Sequence, residues 1–328
     1  MRTHTAFAVG AVAGYAVDAL LADPRRGHPV AAFGSAAAAL ERRLWRDHRG
    51  AGAAFTALCV GGVAAGAVAA ERTVGRSASA RALLAAGAVW TVLGGTSLTR
   101  EARTVAAALQ ADDLDAARAR LPHLCGRDPR HLDRDGLARA VVESVAENTA
   151  DAVVNALTWG ALAGTPGLLA FRAVNTLDAM VGHRSPRQLR FGWASARLDD
   201  AAGWPGARLT ALLTVAAAPE PGRAWRVWRR DGSAHPSPNA GQAESAFAGA
   251  LGVRLGGTLA YGSRVEHRPV LGAELRPVAV GDIERACRLS RRVGLLALGT
   301  TVAARWAVGR LRSTGTLRST GTRKGAGA

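Results

Sequence analysis

The chain has 328 residues, enough for two or three packed regions. Its formal charge is +17, from 42 Lys and Arg against 25 Asp and Glu, and nearly all of the positive charge is Arg, because Lys324 is the only lysine. A basic balance fits nucleic acid, anionic lipid or anionic small molecules, but there is no zinc-finger spacing, RNA-binding aromatic signature or dense basic run, so nucleic acid is not an expected partner. Cys59, Cys125 and Cys287 are far apart and form no C-x-x-C, which argues against a zinc knuckle or a disulfide framework. The lone lysine lies in the tail, which excludes a lysine-centred phosphate loop. No Rossmann glycine fingerprint and no nucleophile elbow occurs.

In chain order, the first apolar run is 5–22, which carries one acid, Asp18. A turn follows, Asp23-Pro24-Arg25 with His28-Pro29-Val30, and no signal-peptide cleavage pattern is present. Residues 51–70 form a charge-free run of the length needed to cross a hydrocarbon core, with Arg-rich flanks. Residues 82–99 form another, and 103–120 reads as an amphipathic helix followed by a second helix. Residues 152–171 are apolar but interrupted by Gly164-Thr165-Pro166-Gly167, strong turn punctuation. Two half-length helices doubling back at this turn are expected, a re-entrant hairpin that lets the polar clusters on either side meet. Residues 207–218 are a similar short apolar element. The last run, 293–309, has Arg305 near its end, where it can snorkel. These runs are rich in Ala and Gly, which suits close packing between membrane helices, although an Ala-rich soluble bundle has the same composition. Strand signals are sparse. The expected fold is mainly α, a polytopic helical membrane protein with long polar helical loops. Its parts are N-terminal membrane helices over 1–99, a catalytic region over 100–292, a membrane helix over 293–310 and a disordered tail over 311–328, where LRSTGT occurs twice in tandem.

Polar clusters stand beside the apolar runs. Glu143, Glu147 and Asp151 are spaced to share one helix face, where like charges repel unless a cation, an Arg cluster or a basic ligand compensates. Asn148 lies within the same stretch. Asn175 and Asp178 form a second knot, and Asp199 and Asp200 follow beside Arg197; neighbouring carboxylates with an Arg suit Mg2+–phosphate handling and are also common at exposed helix ends. In His235-Pro236-Ser237-Pro238-Asn239, the prolines fix an extended approach, Asn239 is placed to cap the next helix, and Gln242 completes a capping-box pattern. The helix start, with His235, Ser237 and Asn239, offers a phosphate site, and Glu244 one turn in is a base or ligand. Gly249, Gly252, Gly256 and Gly257 permit close approach of backbone or a bulky ligand.

Together these blocks resemble the adenosylcobinamide-phosphate synthases, membrane proteins of cobalamin biosynthesis. The resemblance rests on DALLADPRRGHPV (18–30), ESVAENTADAVV (143–154), NTLDAMVGHRSPRQLRFGWASARLDD (175–200), HPSPNAGQAESAFAGALGVRLGG (235–257) and RVEHRPVLG (264–272), in one order over about residues 10–310. It implies a multipass plasma-membrane enzyme that forms an amide between adenosylcobyric acid and (R)-1-amino-2-propanol or its phosphate. It also implies use of ATP and Mg2+, a site facing the cytoplasm, contact with membrane lipid, and soluble enzymes of the pathway as possible partners. Distributed over that chemistry, Glu143, Glu147, Asp178 and Glu244 are the expected catalytic residues. Asp23, His28, Asn148, Asn175, Arg197, His235, Ser237 and Asn239 are expected to bind substrate or phosphate, and Asp151, Asp199 and Asp200 to bind metal. A corrinoid carrier and a non-catalytic membrane scaffold are the rival readings, since intramembrane acids and broken helices also occur in transporters.

Overall fold

The structure is a computed structural model that describes residues 3–24, 27–261 and 264–320. It is predominantly helical. Helices α1 (Thr3–Leu21), α2 (Pro29–Leu44), α3 (Arg49–Thr73), α4 (Ala78–Val92) and α5 (Gly95–Gln110) are followed by the short α6 (Leu114–Arg120). Then come α7 (Arg134–Thr149), α8 (Asn155–Val181), α9 (Trp193–Ala217), α10 (Pro221–Asp231) and α11 (Ala240–Leu251). A hairpin of β1 (Leu255–Tyr261) and β2 (Arg264–Leu271) precedes the long α12 (Gly281–Thr320).

Among the described residues, three stretches are long and apolar enough to cross a membrane: Arg49–Thr73, Ala78–Gln110 and Arg134–Val181. Large apolar side chains stand exposed on these helices and on α1, including Leu20, Leu58, Leu83 and Leu162. That is the pattern of helices solvated by lipid rather than water. Residues 293–309, expected as a further span, lie in α12 but are not among the three stretches. Arg305 does not snorkel. It donates to Ala161 O at 3.3 Å and lies 4.9 Å from the Phe7 ring, turned inward onto the bundle. α12 continues to Thr320, so the tail expected to be disordered from 311 begins as helix, and 321–328 lie outside the described residues.

α1 packs on α4 through small residues. A Cβ placed on Gly10 would fall 2.4 Å from Ala82 O, and one on Gly14 would fall 2.4 Å from Ala86 O. This four-residue spacing of glycines lets two backbones touch, the usual device where lipid removes the hydrophobic drive between helices. Gly10→Leu is therefore expected to lower stability by about 1–3 kcal/mol, read as an earlier thermal transition of the detergent-purified protein. An unchanged transition would show that α1 is not held by this contact.

Two breaks shape the interior. The run at 82–99 is not one helix: Leu93 is extended (φ −72, ψ 135), and α5 restarts two residues later. Asp18 holds that restart, its Oδ2 accepting from Thr96 N at 3.3 Å and from Thr96 Oγ1 at 3.0 Å. The second break is Gly164 (φ 70, ψ −154), inside α8 and in a region of backbone space open essentially to glycine alone. Pro166 then opens the second half of the helix. The halves fold back on each other: a Cβ on Gly167 would fall 2.6 Å from Trp159 O, whereas residues so far apart in a straight helix stand about 12 Å apart.

The hairpin was not anticipated. β1 and β2 pair antiparallel from Leu255↔Leu271 to Tyr261↔Arg264, with a bulge between Gly256 and Gly257. The stretch alternates weakly and its glycines disguise the first strand. Its base lies against α7, and that contact begins the site.

Candidate active site

α7 runs through a π-helical turn, Ala150–Val154, into α8. Such turns are rare and recur at functional sites. Glu143 is 2 % exposed. It forms an ion pair with Arg127, has Arg139 at 4.0 Å, and accepts from Gly256 N at 2.7 Å. Gly256 meets it because the bulge turns that amide out of the ladder, and a Cβ there would fall 2.2 Å from Pro269 O. One turn on, Glu147 keeps accessible surface although the charges of Arg268, Arg127, Glu143 and Asp178 all reach it.

Asp151 and Asp178 stand about equally far from Gly164 on either side, and the fold-back brings them together. Asp151 lies within electrostatic reach of Asp199, Glu147 and Asp178. From α9, Asp199 accepts from Asn175 Nδ2 at 3.4 Å. Burial, then the Asp178 carboxylate, pushes Asp199 up to about 7. Burial also raises Asp200, against the pull of Arg197 and Arg184. Arg172 lies between Asp151 and Asp23 and ties the first motif to the second.

α11 supplies the opposite wall. Glu244 is 2 % exposed, and burial, with Glu143 and Glu147 alongside, holds its carboxyl well above the usual range. His235 Nε2 lies 4.0 Å from Glu244 and 3.1 Å from Arg268 Nη1. Its Nδ1 accepts from Ser237 N at 3.0 Å. Burial, then Arg268, pushes His235 down to about 4, so the ring is neutral at pH 7.

Glu143, Glu147, Asp151, Asp178, Asp199, Asp200, Glu244 and His235 thus share one region, with Asn175 on its edge. The structure places the other expected residues as follows. His28 Nδ1 caps α2 by accepting from Val30 N at 3.1 Å, with Asp23 at 3.7 Å. Asn148 donates to Ser144 O on its own helix at 2.9 Å. Arg197 is exposed beside Asp200. The capping box is not formed. Asn239 instead donates to Asp200 O at 2.8 Å and accepts from Arg208 at 3.0 Å, while Gln242 bonds Gly232 O and Trp228 Nε1. Ser237 takes over the helix start, its Oγ accepting from Asn239 N and Ala240 N. Among the described residues no three His, Cys, Asp or Glu side chains form a ready-made metal site, so Asp151, Asp199 and Asp200 are not a preassembled ligand set.

The sequence reading missed Arg127, Arg139, Arg172 and Arg268, which an Arg-rich chain hides, and Asn155. Asn155 is fully buried between α8 and α9, both amide atoms without a hydrogen bond among the described residues, where Gly206 makes room for it. Its signal was an amide in an apolar run, directly after the acidic face.

Residues 11–290 match the family described as CobD/Cbib protein. The chain is 54 % identical over 290 residues to the cobalamin biosynthesis protein CobD of Mycobacterium tuberculosis (strain ATCC 25618 / H37Rv), covering 87 % of this chain and 92 % of that one. It is 45 % identical over 273 residues to the protein of that name from Geobacter metallireducens, covering 80 % and 85 %. With that from Chromobacterium violaceum the identity is 39 % over 302 residues, covering 90 % and 96 %. No solved structure matches the chain. With the family match spanning residues 11–290 and relatives at 39–54 % identity, the chain belongs to the CobD/Cbib family of cobalamin biosynthesis proteins.

Proposed function

We propose that this site forms an amide in cobalamin biosynthesis, joining adenosylcobyric acid to (R)-1-amino-2-propanol or its phosphate and giving adenosylcobinamide or its phosphate. The observation that carries the reading, beside the family, is one buried cluster that brings two kinds of group together. Arg127 and Arg268 lie within electrostatic reach of Glu147 as cations, and Glu244 and Asp199 are carboxyls that burial and their neighbours keep from ionising fully. Cations hold carboxylate and phosphate oxygens, and a carboxyl poised near neutrality moves a proton.

In the reaction a C–N bond forms, one carboxylate oxygen leaves with phosphate, and the amine gives up a proton. ATP with Mg2+ would supply the activation that a carboxylate needs before an amine can displace its oxygen. The donor set fits: it is all oxygen, and Mg2+ is commonly held by one or two carboxylates together with substrate phosphates rather than by a protein cage. Asp151 and Asp178, facing each other across the hairpin, would hold the ion. Asp199, expected from sequence as a metal ligand, suits the proton from the amine better. Glu244, protonated, donates a hydrogen bond, and neutral His235 orients it. The same reading puts the protein in the plasma membrane with the site facing the cytoplasm, where corrinoid, ATP and the soluble pathway enzymes are, and makes the halves of α8 a re-entrant element.

The test is turnover by the detergent-purified chain with adenosylcobyric acid, aminopropanol phosphate, ATP and Mg2+, read by mass spectrometry. An amide product is expected. Glu147→Gln and Asp178→Asn are each expected to lose about 100-fold or more in turnover with unchanged thermal transitions. Near-normal turnover in both would remove the acids from the mechanism. Corrinoid flux into liposomes without product would make the protein a carrier, and activity only with a co-purified enzyme would make it a scaffold.

A further inference from the structure

α10 carries four arginines against one aspartate in eleven residues, and the fold gives them different work. Its apolar stripe, Ala224, Val227 and Trp228, is buried, with Trp228 packed on Ala211 of α9 and Ala246 of α11. Arg223 donates to Gly249 O at 2.7 Å and pairs with Glu220 at 2.7 Å. Arg230 pairs with Asp231 at 2.7 Å and with Glu274 at 2.8 Å. That leaves Arg226 and Arg229. Both are exposed, and among the described residues no acid lies within ion-pair distance of either. Arg226 Nε donates to Gly222 O of its own helix at 3.3 Å, and the Arg229 guanidinium lies 5.8 Å from the Trp225 ring. Trp225 is 45 % exposed and rests edge-on against Trp228, with ring centroids 5.2 Å apart. Helical spacing puts Gly222, Trp225, Arg226 and Arg229 together on the outward face.

We propose that this outward face of α10 binds the headgroup of an anionic phospholipid. Two guanidinium groups one turn apart, neither neutralised by an acid, suit a phosphodiester, and basic side chains beside an anionic leaflet are drawn to it. A tryptophan half covered by protein and half exposed is the residue type that settles at headgroup level. The apolar stripe of α10 is already covered by α9 and α11, so the helix does not insert; it meets the membrane through its charges. α9 leads into α10 through three residues and exposes Leu212 and Trp204, with Arg208 4.5 Å from the Trp204 ring. An exposed tryptophan with an arginine four residues on thus recurs on two consecutive helices, as suits side chains that keep an apolar body in the lipid boundary and a charged end in water. An acidic protein would also match the charge, but the spans of this chain hold a bilayer permanently beside α10. α10 is fixed to α11, the helix that carries Glu244: a Cβ on Gly249 would fall 2.7 Å from Ala224 Cα. A lipid held here therefore sits one helix away from the candidate active site.

The experiment is native mass spectrometry of the detergent-purified full-length protein, titrated with short-chain phosphatidylglycerol or phosphatidylcholine. Phosphatidylglycerol is expected to bind more tightly than phosphatidylcholine. Arg226→Gln/Arg229→Gln is expected to weaken the tightest phosphatidylglycerol site at least about tenfold and to leave phosphatidylcholine binding unchanged. Arg226→Lys/Arg229→Lys keeps both charges and is expected to stay within about threefold of wild type. Undiminished phosphatidylglycerol binding in the Gln pair overturns the proposal and leaves the face to an acidic protein. Equal affinity of the wild-type protein for the two lipids, an equal loss of both in the Gln pair, or a Lys pair as weak as the Gln pair overturns it as well. Because amide formation is not measured, failure here is separable from failure of the proposed reaction.

Discussion

Arg127→Met is expected to lower the stability of the folded protein by about 3 kcal/mol, at the lower end of what breaking a buried ion pair costs. Arg127 is 7 % exposed and Glu143 is 2 % exposed, so neither charge has water to fall back on. Removing the guanidinium leaves the carboxylate with Gly256 N and with Arg139 at 4.0 Å, too distant to replace it fully. The loss is expected to be largely recovered in Arg127→Met/Glu143→Gln, because the amide still accepts from Gly256 N and no charge is left buried. Denaturant unfolding of the four proteins of this cycle in detergent measures the coupling. A single variant as stable as wild type would mean that the pair does not hold the 126–133 loop to α7. Turnover in the double variant then separates the structural part of the pair from any part it plays with substrate.

How much could be read beforehand follows from which interactions are local. The charge-free run at 51–70 and the acids at 143, 147 and 151 announce themselves by spacing, because a helix face is fixed by periodicity alone. The Gly164-Thr165-Pro166-Gly167 turn is legible for the same reason: a glycine-only conformation and a proline opening the next helix are local properties. The break at Leu93 is not. Nothing between 82 and 99 forbids a helix; the restart is held by Asp18 from seventy-eight residues away, a tertiary contact that propensity does not register. The misread cap at Asn239 has the same origin. Its side chain satisfies the local rule for an N-cap, but Asp200 O and Arg208 compete for it and win, leaving Ser237 to take the amides. The arginines that complete the acidic site are invisible for another reason. In a chain with this many arginines, the few buried against carboxylates differ from the solvated ones only in where the fold puts them. Asp199 lay within a cluster expected to bind metal; what sequence did not disclose is its burial next to Asp178, which changes the work it is fit for.

That burial makes Asp199→Asn the most informative single substitution at the site. On folding, the Asp199 carboxyl moves from its ordinary value of 3.8 up to about 7, first through burial and then through Asp178. A raised acid binds its proton more tightly in the folded state, so stability is fullest below about pH 4 and is lost as pH rises through about 7. At pH 8 the ionised group costs the folded protein at most about 4 kcal/mol, the shift converted at 1.36 kcal/mol per pH unit. Asp199→Asn removes the ionisation and keeps an oxygen for Asn175 Nδ2 at the position that now accepts at 3.4 Å. The variant is therefore expected to match wild type in stability near pH 4 and to exceed it at pH 8, approaching that bound. Turnover is expected to move the other way. In wild type it rises as pH passes through about 7, because the amine's proton needs an ionised acceptor; in the variant that rise is gone and turnover is low throughout. A variant with the wild-type stability profile would show that Asp199 titrates as an ordinary exposed acid. One with the stability gain but the wild-type pH–rate profile would keep Asp199 as a buried charge of the site and pass the proton to Glu147 or Asp178. Gain and loss together would mean that the protein holds Asp199 in an unfavourable place because the reaction needs it there, as stability yielded at functional sites commonly is.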